Sequence, residues 1–127
     1  MHVILIYAAL PLFLGALMSD WAYSASYQVQ WKNFAAWLNA GGLVFLGLAL
    51  LWAVIDRLRG SDPRASSGRY LAALVVASGI GLVNALIHAK DAWAAMPAGL
   101  WLSVVALLVL LVAGVLGWPG VRREGAR

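Results

Sequence analysis

Four stretches of the chain are apolar almost without interruption, and the polar residues gather between them. Crossing the hydrocarbon core of a bilayer takes about 20 apolar residues in a helix. The runs at 3–19 (extensible to Tyr23), 34–55, 70–89 and 99–118 reach or approach that length. They predict an all-α fold, a four-helix transmembrane bundle forming one integral membrane domain over residues 1–127. Strands do not fit, because the runs are long, rich in Leu and Ala, and show no strict alternation. Nor could a chain of this length supply the eight or so strands of a membrane barrel. Pro11 lies inside the first run, where lipid and neighbouring helices favour a kink over a break. Pro119-Gly120 ends the fourth run.

The connections differ in character. Residues 20–33 read as a polar and aromatic link, 56–69 as a flexible basic loop, 90–98 as a short turn, and 121–127 as a basic tail. Arg57, Arg59, Arg64, Arg69, Arg122, Arg123 and Arg127 all fall on one side of a four-span topology, against Lys32 and Lys90 on the other. The positive-inside rule then places both termini on the cytoplasmic side of the membrane. The first run reads as a retained anchor, since Met1-His2 gives no basic n-region and Ala16-Leu17-Met18 is a poor cleavage site.

Composition supports the membrane reading. Hydrophobic residues make up 64% and charged residues 11% of the chain. A short water-soluble domain could not bury that much apolar surface. The net charge of +4 sits in loops beside the spans, so it points to topology and away from nucleic acid. With no cysteine, disulfides and thiolate chemistry are excluded. Phosphate loops, a persuasive Ser–His–Asp arrangement, a zinc pattern and an internal repeat are not apparent, so no metal site and no catalytic residue is expected. Trp21, Tyr23, Tyr27, Trp31, Trp37, Trp93 and Trp101 would mark the outer interface, and Trp52, Tyr70 and Trp118 the inner one.

Small residues recur every four positions in the third run, at Ala73, Ala77, Gly81, Ala85 and Ala89. Such ridges let membrane helices approach closely, and this one predicts a tight bundle with the third helix at its centre. Asn84, His88 and Asp91 share a helix face beside it. Asn39 and Asp20 lie at similar depth, which gathers a candidate polar cluster of Asp20, Asn39, Asn84, His88 and Asp91. The aromatic surface around it would comprise Trp21, Trp31, Trp37 and Trp93. Two readings follow: a hydrogen-bonded clamp that fixes helix register, or a site in which Asp91 or Asp20 orients a titrating or ligating His88. Haem within one chain is disfavoured, because His2 and His88 lie at opposite ends of the spans, roughly 30 Å apart. Haem shared by two His88 residues of a dimer stays open.

The segments Asp20-Trp21-Ala22-Tyr23, Trp31 to Leu38, Gly41-Gly42-Leu43-Val44, Asn84 to Trp93 and Pro97 to Leu100 resemble, in order, small bacterial membrane proteins classed as a domain of unknown function. The resemblance implies a four-helix inner-membrane protein without an established activity. Its relatives often neighbour periplasmic sugar dehydrogenases, which implies a redox accessory role. Three functions are therefore carried forward. The first is a non-enzymatic accessory or anchor protein whose partners are the bilayer, another copy or a periplasmic protein. The second is a redox accessory binding quinone or haem near His88, and the third a proton-linked small-solute carrier.

Overall fold

The computed structural model describes residues 1–63, 65, 67–90 and 96–118. Four helices account for nearly all of them: α1 His2–Ser26, α2 Val29–Arg59, α3 Gly68–His88 and α4 Ala98–Leu116. Each is long and apolar enough to cross a membrane. No strand occurs among the described residues. The helices run up, down, up and down. The end where α1 begins is called proximal below, and the other end distal.

Several boundaries shift from the sequence reading. The expected link over 20–33 is almost entirely helical, leaving only Tyr27 and Gln28 between α1 and α2. Tyr27 takes a left-handed conformation at φ 60°, and its N–H donates to the Tyr23 carbonyl. Helices persist beyond the apolar runs because backbone groups near lipid still need internal partners. α1 continues through Pro11 without a break. At the proximal turn Gly60 caps α2 at φ 66°, and Ser67 caps α3 by accepting from the Tyr70 N–H.

α1 packs along α2 and α4, and α3 packs along the same two helices. Each helix is thus one corner of the bundle, which corrects the expectation that α3 is central. The four-residue ridge misled for a geometric reason. Steps of four drift around a helix, whereas alternating steps of four and three stay on one face. The face that α3 buries is Tyr70, Leu74, Ala77, Gly81, Asn84 and His88, while Ala89 is exposed.

The same four–three rhythm governs every helix. Adding 68 to six of the eight buried α1 positions, His2, Ile6, Ala9, Phe13, Ala16 and Asp20, yields the buried face of α3. Adding 64 to the buried α2 positions Ala35, Asn39, Gly42, Leu46, Ala49 and Ala53 yields Gly99, Ser103, Ala106, Leu110, Ala113 and Gly117 of α4 and its cap, all buried. The two helical hairpins therefore share one burial register, as antiparallel helices packed with the same four–three spacing do.

Volume is balanced between the helices. Phe13 lies against Gly42 of α2 and Gly81 of α3, and a methyl group on Gly42 would meet its ring at 2.8 Å. Tyr70 lies against Gly117, and His88 against Gly99, in the same manner. Ile6, Leu46, Leu74 and Leu110 fill the middle of the bundle. Tyr23 and Tyr70, expected as interfacial anchors, are buried instead.

Gly42→Ala should destabilise the bundle by about 1–3 kcal/mol, because Phe13 has no room to retreat. Phe13→Leu in the same chain should recover part of that loss, as coupled neighbours do. Thermal unfolding in detergent micelles measures both. Equal melting of Gly42→Ala and the unaltered protein would contradict the packing described.

Candidate functional site

At the distal end, Asp20 of α1, Asn39 of α2, Asn84 and His88 of α3, and Ser103 of α4 are all buried. Each sits on its helix's inward face. His88 reaches across the bundle, so that its Nε2 lies 2.7 Å from Asp20 Oδ1. The other Asp20 oxygen accepts from Ser103 Oγ at 2.5 Å. Asn84 Nδ2 donates to Ser103 Oγ at 2.9 Å and, more weakly, to Asn39 Oδ1 at 3.5 Å. Asn39 Nδ2 donates to the Gly81 carbonyl at 3.2 Å. One connected network thus ties all four helices.

The proton inventory of the pair follows from its partners. His88 Nδ1 lies 2.8 Å from the Asn84 carbonyl oxygen, which can only accept, so Nδ1 carries a hydrogen. Nε2 then faces a carboxylate oxygen, and a proton must lie between them, on one atom or the other. In either arrangement the pair is neutral overall, the condition under which ionisable groups persist at membrane depth. One acceptor is left over: Asn84 Oδ1 is buried and finds no donor among the described residues.

The sequence-derived cluster is therefore brought together at Asp20, Asn39, Asn84 and His88. Asp91 and Trp93 lie outside the described residues. Asp20, one of two carboxylates proposed to orient His88, is its partner. Ser103 was missed, because a lone serine on an apolar helix carries no signal until its depth relative to Asn84 is known. Trp21 and Trp37 do not surround the network; they point outward, 69% and 79% exposed. Trp31 is half-buried and packs against Phe34. Lys32 Nζ donates to the Lys90 carbonyl at 2.6 Å, joining the start of α2 to the end of α3.

A second polar cluster, also missed, closes the proximal end. His2 is fully buried. Its Nδ1 lies 2.6 Å from the Tyr70 hydroxyl, and its Nε2 lies 3.0 Å from Asp62 and 3.7 Å from Asp56. Hydropathy alone would leave a histidine beside the first span in the interfacial zone. It is buried here, with the Tyr70 hydroxyl on one ring nitrogen and Asp62 on the other.

His2 and Asp20 are 18 residues apart along α1, or about 27 Å of helix. The two clusters therefore stand near the two boundaries of a hydrocarbon core about 30 Å thick. Between them the buried face is apolar, apart from small residues.

Comparison with curated proteins and with solved structures gives no match. A family profile described as a predicted membrane protein matches residues 1–127. Its full-length match agrees with the four membrane-spanning helices, and on that ground the chain belongs to the DUF2231 family of predicted membrane proteins.

Proposed function

We propose that this protein is a non-enzymatic accessory or anchor protein of a bacterial inner membrane, with its proximal end in the cytoplasm and its distal end in the periplasm. The observation that carries the reading is the full engagement of the His88–Asp20 pair within the distal network. Both ring nitrogens of His88 and both oxygens of Asp20 are engaged by the protein itself. A side chain so engaged serves as a clamp and has little left to offer a substrate. The clamp holds a rigid platform, and Trp21, Trp31 and Trp37 form the surface presented to lipid, to another copy or to a periplasmic partner.

The redox alternative, with quinone or haem bound near His88, draws less support. Ligation would require breaking the bond to Asp20. Gly99 also backs the imidazole so closely that a methyl group there would lie 3.0 Å from its Cε1. The carrier alternative needs a polar route through the bundle, whereas Phe13, Leu46, Leu74 and Leu110 close the middle. Orientation rests on arginine. Arg57, Arg59 and Arg69 flank the proximal turn, and Lys32 stands at the distal end.

Two substitutions at Asp20 separate a clamp from a proton-handling site. Asp20→Asn should cost less than about 1 kcal/mol, because an amide can donate to His88 Nε2 and accept from Ser103. Asp20→Ala should cost about 1–3 kcal/mol, because it leaves both partners buried and unpaired. Detergent unfolding gives the values; loss of a transport or redox activity in the well-folded Asp20→Asn protein would refute the clamp. Protein purified gently from native membranes should be colourless and yield no quinone on extraction. A Soret band or bound quinone that disappears in His88→Ala would favour the redox reading. For orientation, alkaline phosphatase fused after the C terminus should be inactive, and activity there would reverse the topology.

A further inference from the structure

We infer that the proximal end holds a divalent-metal site made by His2 Nε2 and the carboxylates of Asp56 and Asp62. The three side chains come from the start of α1, the last turns of α2 and the turn before α3. One ligand atom from each lies within 4.8 Å of the others. An ion about 2.1 Å from three such atoms sets neighbouring ligands about 3.0–3.4 Å apart. The separations of 3.0 Å and 3.7 Å from Nε2 are close to that, so small side-chain rotations complete the set.

Two further features favour an ion over a simple hydrogen-bonded latch. First, two carboxylates face one ring nitrogen. A single proton on Nε2 can serve only one of them at a time, whereas a dication serves both. Second, the ligands are aimed from behind. The Tyr70 hydroxyl fixes the ring through Nδ1, the outer-shell arrangement usual for ligating histidines. Ser61 Oγ donates to Asp56 Oδ1 at 3.0 Å and leaves Oδ2 turned toward His2. The distal cluster lacks the first feature, having one fully buried carboxylate with both oxygens engaged.

The donor set selects the ion. One imidazole and two carboxylates, with remaining positions open to water, suit first-row divalent ions such as Mn²⁺ or Zn²⁺. Ca²⁺ prefers six to eight oxygens. His2 is closed off, but the carboxylates are partly exposed, at 17% and 21%, so an ion enters from the aqueous side of the loop. With Nε2 on the ion, the neutral ring's single hydrogen lies on Nδ1 and donates to the Tyr70 oxygen.

The test uses the full chain with a histidine-free affinity tag in detergent micelles, titrated with Mn²⁺ while free Mn²⁺ is followed by electron paramagnetic resonance. One ion should bind per chain and be displaced by Zn²⁺. Asp56→Asn and Asp62→Asn should each weaken binding more than about tenfold, and Tyr70→Phe about tenfold. Circular dichroism checks the helices of each variant. Should a variant misfold, nitrogen-15 imidazole spectra of the unaltered protein decide instead: Zn²⁺ should shift Nε2 of His2 and leave His88 unmoved. The site is overturned if free Mn²⁺ stays undiminished at millimolar ion, if folded Asp56→Asn and Asp62→Asn proteins bind as tightly as the original, or if His2 does not respond to Zn²⁺.

Discussion

The bond between Asp20 and His88 is the constraint around which the distal half of the bundle is organised. A carboxylate at membrane depth costs several kcal/mol unless it is paired and its lone pairs are satisfied. The Asn84 carbonyl fixes the hydrogen on one side of the imidazole, so the other side must share a proton with Asp20. The bond spans α1 and α3, which stand at opposite corners and otherwise meet only through inward side chains. It therefore sets how wide the bundle can be there. Gly99 must stay small to admit the ring, and Ser103 must reach the second carboxylate oxygen. His2 and Tyr70 impose the same diagonal spacing at the other end, again across 68 residues of sequence.

Between these ends, apolar burial supplies little driving force, because lipid chains are as apolar as leucine. Shape has to do more. A large ring set against glycines on neighbouring helices keeps the backbones close, as Phe13 does between Gly42 and Gly81. The shared burial register of the two hairpins carries this along the bundle. Corresponding positions keep their size class at Ile6 and Leu74, Leu46 and Leu110, and Ala49 and Ala113. They differ at Phe13 and Gly81, at Ala16 and Asn84, and where the diagonal bonds form, as in Asp20 against His88 and His2 against Tyr70.

The membrane character, the helix count and most of the distal cluster were legible in the sequence, because length, hydropathy and the rarity of polar residues in lipid are strong signals. Asn39, Asn84 and His88 each stood alone in apolar surroundings. The inward faces were much harder to read. In a soluble bundle the four–three spacing would appear as hydrophobic positions against a polar background. Here the lipid-facing positions are apolar too, and Val44, Leu48, Leu82 and Leu108 look no different from core residues. The shared burial register of the two hairpins is hidden for the same reason, since it involves burial more than identity. Tyr70 reads as an interfacial anchor and His2 only as the start of the first span, because nothing in one dimension shows that two polar ends meet.

The separation of 68 residues between the partners of each diagonal bond also bears on biosynthesis. A ribosome elongating at 5–20 residues per second delivers Tyr70 and His88 about 3–14 s after His2 and Asp20. During that interval the first hairpin holds an imidazole and a carboxyl group whose final partners have not been made. Water, headgroups or the insertion machinery must solvate them meanwhile. Their position near the two membrane boundaries, rather than at the midplane, makes that wait tolerable. Arrival of the second hairpin then exchanges those transient contacts for permanent ones, so completion of the chain and closure of the bundle become a single event.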